Sequence, residues 1–293
     1  MNRRSWIPRL QLLPTWLVLG LFFLAPMFIM LGISFREKGP AGTVRPVENV
    51  KQYVAQGKFL NNYRESIDPI YAGVYWRSLW VAVATTAICL LVGYPVAYYI
   101  AIVANPRRKN LLLAMVAIPF WTSFLVRMGA WKLILGTQGV LNTMLGGVGV
   151  SPLDLLYTPG AVLTGLVYGE LPFMILPLYA SLEKLDRTLL EAGSDLGAAP
   201  RATFFRVTVP LTMPGIIAGV ILVFIPSIGQ FVVSDVLGGG KLELIGNVID
   251  NQFHEARNPP FGSAVAFGLT AVDLILLMGY ALYARKSRQE VAL

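Results

Sequence analysis

Glu170 and Asp273 are carboxylates set inside long apolar runs, and an acid in that setting can bind a cation, relay a proton or neutralise a buried base. A charged group at the centre of a bilayer helix costs on the order of 2.5–3.5 kcal/mol, so each must face the protein interior, a water-filled path or an opposite charge. Aromatic residues stand near Glu170 in the sequence or in the preceding run: Phe120 and Trp121, then Tyr168 and Phe173. Ring faces attract ammonium groups, which suits a cationic solute; each ring alone equally suits packing or interfacial anchoring. A second reading is open for Glu170, in which it pairs with Arg127 or Lys132, the two basic residues of that preceding run. Asp235, at the outer end of the fifth run, completes the candidate set and is equally at home as a solvated acid.

Patterns for enzymatic chemistry are missing. Gly57-Lys58 is followed by Phe59 and Gly240-Lys241 by Leu242, so neither supplies the hydroxyl that a P-loop offers to magnesium. His254 is the one histidine and has no Cys or His neighbour with which to hold zinc. The single cysteine, Cys89, excludes an intrachain disulfide. If the machine uses ATP, both ATP and magnesium belong on another subunit, and this chain is expected to bind no cofactor.

The elements that must position these acids are membrane helices. Of 293 residues, 55% are hydrophobic and only 14% charged, and the mean hydropathy is +0.62. That balance excludes a soluble globular chain and indicates a polytopic membrane protein. The net charge of +8 comes without a basic face interleaved with aromatics, so nucleic acid is not an expected partner. Six runs reach the roughly 20 residues needed to cross a bilayer: 12–34, 77–104, 111–135, 160–181, 210–233 and 262–284. The first is longer than a signal-peptide core and lacks a small-residue cleavage site, so it is expected to remain as an anchor. Pro26, Pro95, Pro119, Pro172, Pro177, Pro214 and Pro226 lie within runs, where each frees a carbonyl and permits bending. Gly165 with Gly169, and Gly215 with Gly219, let helix backbones approach closely in lipid.

Lys and Arg set the expected orientation. One set of alternate connections carries Arg3, Arg4, Arg9, Arg107, Arg108, Lys109, Lys184, Arg187, Arg201, Arg206, Arg285, Lys286 and Arg288; most of the others fall in one long loop, residues 35–76, where the positive-inside rule is weak. Both termini and residues 183–209 are therefore expected in the cytoplasm. In the long loop, residues 50–59 read as a short amphipathic helix lying on the surface. The glycine-rich segment 136–159 reads as a pair of short re-entrant or surface helices. No internal repeat or second soluble domain is visible, so residues 1–293 are expected to form one transmembrane domain.

Residues 183–214 form the longest polar stretch of the second half. Leu185, Leu189, Leu190 and Leu196 make a helical stripe, Gly197 stands where a helix ends, and Pro200 is placed to open the next one. A chain without its own ATP site needs a surface through which a partner's motion reaches the spans. Here Glu191-Ala192-Gly193, three residues, Gly197, nine residues and then Val207-Thr208-Val209-Pro210 resembles the EAA loop of ABC importer permeases, whose pattern is Glu-Ala-Ala, three residues, Gly, nine residues and Ile-x-Leu-Pro. The departures, at Gly193, Val207 and Val209, are changes of size only. Gly93-Tyr94-Pro95-Val96-Ala97-Tyr98, Pro119-Phe120-Trp121-Thr122-Ser123-Phe124-Leu125-Val126-Arg127 and Leu171-Pro172-Phe173-Met174-Ile175-Leu176-Pro177 extend the likeness to the permeases of spermidine/putrescine ABC importers.

That resemblance implies an all-α membrane protein, with six transmembrane helices of the type I ABC importer permease fold and a cytoplasmic coupling helix. It implies that Glu191, Ala192, Gly193 and Gly197, with Ala198, Pro200 and Arg201 beside the bend, enter a cleft of an ATPase subunit. The implied partners are an ATPase dimer, a second and usually different permease chain, an extracytoplasmic substrate-binding protein and the lipid of the inner membrane. The implied activity is polyamine import by alternating access. Relatives of such permeases also move ferric iron, thiamine or other small solutes, and Glu170 maps onto no motif of the family. An ion-driven secondary transporter is the other reading, against which stands the lack of any inverted repeat.

Overall fold

Within lipid a chain satisfies its backbone polar groups only as helix or closed barrel, and helices make up the computed structural model, which describes residues 14–46 and 49–290. Arg3, Arg4, Arg9 and the opening of the first apolar run lie outside the described residues. The helices are α1 (Pro14–Ser34), α2 (Val50–Ala55), α3 (Asn61–Ser66), α4 (Pro69–Val103), α5 (Pro106–Trp121), α6 (Phe124–Leu135) and α7 (Val140–Gly147), followed by α8 (Pro159–Leu182), α9 (Arg187–Asp195), α10 (Pro200–Leu211), α11 (Met213–Ile228), α12 (Val232–Gly238), α13 (Ile245–His254) and α14 (Pro259–Glu290). Four of them, α1, α4, α8 and α14, hold a stretch long and apolar enough to cross a membrane unbroken. Two more spans are possible as bent pairs, α5 with α6–α7 at 93° and α10 with α11 at 67°.

Proline marks beginnings here more than breaks. After α1, five helices, α4, α5, α8, α10 and α14, open on it, where its missing N–H has no intrahelical partner to lose. Asn105 and Thr158 cap two of these starts by accepting the N–H groups of Arg107 at 3.0 Å and Ala161 at 3.2 Å. Pro95, Pro172, Pro177 and Pro226 sit inside helices that continue through them. The sharp bend between α5 and α6 falls instead at Thr122 and Ser123, whose ψ angles of 149° and 134° leave the helical region.

The chain divides into two units, each described on its own terms. The first takes residues to 72 together with 248–272. In it the loop after α1 folds back on the helix end. Asn62 donates to the carbonyls of Ser34 (2.8 Å) and Arg36 (2.7 Å), groups that a helix terminus leaves without partners. The Tyr63 hydroxyl meets Ser34 Oγ at 2.7 Å, and the Phe35 ring packs 5.3 Å from Tyr63 and 6.2 Å from Phe59. Lys38 donates to the Ala256 carbonyl at 2.7 Å, and Tyr71 packs 5.2 Å from Phe261.

The second unit takes residues 73–247 and those from 273 onward. Helix α8 is its axis. Leu166 and Val162 pack with Val81 of α4, Met128 of α6 and Val233 and Leu237 of α12 in one cluster. Met174, Ile175 and Leu178 pack with Tyr94 and Ala97 of α4 and Val223 of α11 in another. Both small-residue pairs of the sequence serve this axis: Gly165 faces α12, Gly169 faces Phe124 of α6, and Gly215 and Gly219 face α8. A Cβ at Gly215 would stand 2.8 Å from the Pro177 carbonyl oxygen, which is backbone and cannot swing aside. Overpacking of this kind costs about 1–3 kcal/mol, so Gly215→Val is expected to lower the melting temperature of the detergent-solubilised protein by roughly 5 °C. An unchanged melting curve would mean that α11 does not need its close approach to α8.

One feature of the segment 136–159 departs from the sequence reading. It contains a single helix, α7, rather than two. Asn142 explains why: its side chain donates to the carbonyls of Gly136 (3.1 Å) and Leu153 (3.0 Å) and accepts the N–H of Leu153 at 2.8 Å. Those bonds hold the following stretch extended against α7 without a second helix.

Candidate functional site

Two places bring the sequence candidates together, one among the apolar helices and one at the polar segment. In the first, the 93° bend carries Phe120 at the end of α5 and Arg127 in the first turn of α6 to the same side of α8. The Arg127 guanidinium lies 5.9 Å from the Phe120 ring, 5.5 Å from Phe124 and 5.9 Å from Tyr168. These rings are braced from behind: Phe173 stacks edge-on against Phe120 at 4.8 Å, and Trp131 against Tyr168 at 5.5 Å. Glu170 is only 6% exposed, and its Oε2 has no hydrogen-bond partner; Arg127 Nε and Nη1 are likewise buried and unpartnered. Arg127 is close enough for its charge to act on Glu170, yet no ion pair joins the two. Lys132 stands over the Tyr157 ring at 5.8 Å.

The rings around Arg127 thus gather Phe120, Tyr168 and Phe173, Glu170 lies within reach of the Arg127 charge, and other candidates stay out. Trp121 is 86% exposed and takes no part. Asp235 accepts from Asn247 Nδ2 at 2.6 Å, a bond that ties α12 to α13. Asp273 lies on α14 with a buried, unpartnered Oδ1. Arg127 is the central residue that the sequence reading saw only as a possible counter-charge. Its signal was present: a basic residue in an apolar run, three positions after a phenylalanine, opposite an acid in the next run.

The polar segment is built around its bend. Asp186 accepts the Thr188 N–H at 3.0 Å at the start of α9, and this bond holds the Asp186 carboxyl below its usual range. Helix α9 ends at Gly197, whose φ of +75° is open to glycine at no steric cost. The Ala198 N–H then returns to the Gly193 carbonyl at 3.0 Å, the six-to-one bond of a Schellman end. Pro200 opens α10. A Cβ on Gly193 would approach Thr203 Oγ1 to 3.2 Å, so the helix pair closes most tightly with glycine there. Glu191, Ala192, Gly197, Ala198, Pro200 and Arg201 are exposed, and Leu196 at the bend is 88% exposed. Among the described residues none covers this surface.

The first end of the segment grips α4 and α5, and the far end grips α4. Lys109 of α5 holds both oxygens of Glu183, at 2.9 and 3.1 Å, and the Lys109 bond keeps the Glu183 carboxyl below its usual range. Arg187 donates to the Ala101 carbonyl at 3.2 Å, near the end of α4. On the far side of the bend, Phe204 packs edge-on against Tyr94 (5.5 Å) and Tyr98 (5.9 Å), and the Tyr94 hydroxyl meets Thr212 Oγ1 at 2.8 Å.

Long apolar helices, one of them broken by a sharp bend, and a capped polar elbow fastened to α4 and α5 define a class. A chain of a bacterial alginate ABC transporter, solved in complex with its alginate pentasaccharide-bound periplasmic protein, superposes with a TM-score of 0.71 at 19% identity, covering 97% of this chain and 96% of that one. A chain of the inward-facing MetNI methionine ABC transporter gives 0.54 at 18% identity, over 75% of this chain and 99% of that one. The fold is that of a type I ABC importer permease. Residues 93–289 match the family described as binding-protein-dependent transport system inner membrane component, and the chain belongs to that family. It is 46% identical over 268 residues to the spermidine/putrescine transport system permease protein PotB of Haemophilus influenzae, covering 91% of this chain and 89% of that protein. PotB of Escherichia coli K12 is 44% identical over 280 residues, 95% of this chain and 97% of that protein. The inner membrane ABC transporter permease protein YdcU of the same organism is 33% identical over 240 residues, 78% of this chain and 75% of that protein.

Proposed function

We propose that the chain is one of two membrane subunits of an ATP-driven importer that carries polyamines inward, spermidine or putrescine, as the names of its PotB relatives suggest. The observation that carries the solute class is Glu170: a buried carboxylate with an unpartnered oxygen, within reach of the charge of Arg127, which is itself held over three aromatic rings able to hold an ammonium group. ATP and magnesium are held by a partner ATPase dimer, and solute arrives from an extracytoplasmic binding protein. The second permease is a different chain. Both termini and residues 183–209 face the cytoplasm, and the six spans expected from the apolar runs are the four unbroken helices and the two bent pairs.

In this reading Glu191, Ala192, Gly193 and Gly197, with Ala198, Pro200 and Arg201, enter a cleft of the ATPase. Closure of the ATPase pair displaces the elbow, and the grips on α4 and α5 pass that displacement to the spans, giving two global states that the nucleotide biases. Exposure of Glu191 and of the apolar Leu196 beside it supports docking. Glu191→Lys reverses a charge at that surface and is expected to cut co-purification of the ATPase about tenfold; undiminished pull-down would remove Glu191 from the docking role.

The decisive experiment is uptake of labelled putrescine and spermidine into vesicles holding the reconstituted importer and its binding protein. ATP-dependent accumulation of either supports the reading. Its absence would favour a second one, the same machine working on another small solute, to which the unpartnered N–H groups of Arg127 give specific support.

A further inference from the structure

We propose that Arg127 is a tethered stand-in for the solute's cation, occupying the aromatic cage when the path is empty and leaving it when an alkylammonium group arrives. The inference rests on the polyamine reading above and adds how the site is filled and emptied. A guanidinium that belonged permanently to Glu170 would place its N–H groups on that carboxylate, because a buried donor without an acceptor is costly. Here Nε and Nη1 are buried and unbonded, and Glu170 Oε2, on a side chain 94% buried as judged by its 6% exposure, is unbonded too. Arg127 is therefore held mainly by ring faces: Phe120 at 5.9 Å, Phe124 at 5.5 Å and Tyr168 at 5.9 Å.

The cage itself is pre-formed and does not depend on Arg127. Phe173 and Trp131 fix two of its rings from behind, and the third, Phe124, lies against α8 at Gly169, where a Cβ would stand 3.3 Å from its Cε2. Three braced rings, on a helix axis that also carries the buried, unpartnered carboxylate oxygen of Glu170, suit a primary ammonium on a methylene stem. On this proposal its N–H donors turn to the free oxygen while the stem lies between the rings. Such a group would supply the hydrogen bond that Glu170 lacks, which Arg127 in its present place does not.

Displacement has a functional consequence. A site that is already occupied binds its ligand with an apparent affinity reduced by the fraction of time it is free. The tether thus keeps the inner site weak, so that solute passes on rather than staying, as conduction through a membrane requires. Its return to the cage would also restore a cation beside Glu170 once solute has left.

The test uses the assembled importer in detergent, without binding protein. With labelled spermidine, Arg127→Gln is expected to bind about tenfold more tightly than wild type, since the competitor is gone. Equal or weaker binding by an assembled Arg127→Gln importer overturns the proposal. n-Propylguanidine, which copies the end of the arginine side chain, should bind the emptied cage of Arg127→Ala and not the wild type; failure to bind Arg127→Ala also overturns it. That arm uses no polyamine. Propylguanidine binding in an importer that neither binds nor takes up spermidine would therefore keep the tethered cation and sink the polyamine reading alone. In the wild type, should the variants not assemble, spermidine is expected to speed phenylglyoxal modification of Arg127 severalfold, followed by peptide mass spectrometry. Protection or an unchanged rate would show that Arg127 stays in the cage, against the proposal.

Discussion

Gly197→Val is expected to lower ATP-driven uptake by the reconstituted importer about tenfold, with the subunit still inserted in the membrane in normal amount. The reason is confined to the backbone. Gly197 has φ of +75°, and a Cβ there would meet nothing within 4 Å, so no clash contributes. A side chain in the left-handed region costs roughly 1–2 kcal/mol, and β-branching makes it worse. A penalty near 1.4 kcal/mol corresponds to a factor of about ten in the population of the bent elbow. The chain relieves it by opening the bend between α9 and α10, which moves Glu191 and Arg201 apart. Gly197→Asn is the control, because asparagine visits this region readily; it should retain more than about half of the uptake. Uptake, solute-stimulated ATP hydrolysis and membrane content measured on the three proteins separate coupling from insertion. Wild-type transport by Gly197→Val would show that the elbow works without its bend.

Glu170→Gln is expected to reduce polyamine uptake roughly thirtyfold, which corresponds to the loss of about 2 kcal/mol, the lower end of what removing one member of a buried charge pair costs. The substitution keeps size and hydrogen-bonding capacity and removes only the charge, so the helix axis α8 should stay packed. Melting temperature in detergent checks that packing, and labelled putrescine and spermidine check the function. If uptake is unaffected, the cation is recognised elsewhere, and Asp273, with its own buried and unpartnered oxygen, becomes the residue to examine. If a non-polyamine solute is transported and Glu170→Gln leaves it untouched, the solute assignment falls while the permease fold stands.

Much of this was legible in the sequence because the signals were local. Gly197 and Pro200 marked a helix end and a helix start, and the structure has a positive φ at one and the first residue of α10 at the other. The apolar runs announced helices, and membership of the importer family follows from the spacing that Glu191, Gly197 and Pro210 share with it. What was not legible depends on three dimensions. Residues 111–135 read as one unbroken apolar run, and hydropathy carries no record of a turn; the bend falls at Thr122 and Ser123, while the prolines inside α4, α8 and α11 pass without one. That bend is what moves Arg127 into the cage and turns Trp121 outward, so the two neighbours in one motif part company. Asn142, which holds an extended stretch where a second short helix was expected, gave no sequence signal beyond being a polar residue near glycines.

The elbow holds α4 at two levels. Arg187 takes the carbonyl of Ala101, while Thr212 and Phe204 take the side chain of Tyr94, seven residues earlier along the same helix. At a rise of 1.5 Å per residue those holds are about 10 Å apart. A push shared equally by both would slide the helix, but any difference between them tips it, as unequal hands tip an oar. Across roughly 30 Å of hydrocarbon, a 1 Å difference at the elbow becomes about 3 Å of swing at the opposite face of the membrane. That threefold gain in reach comes with a threefold loss of force.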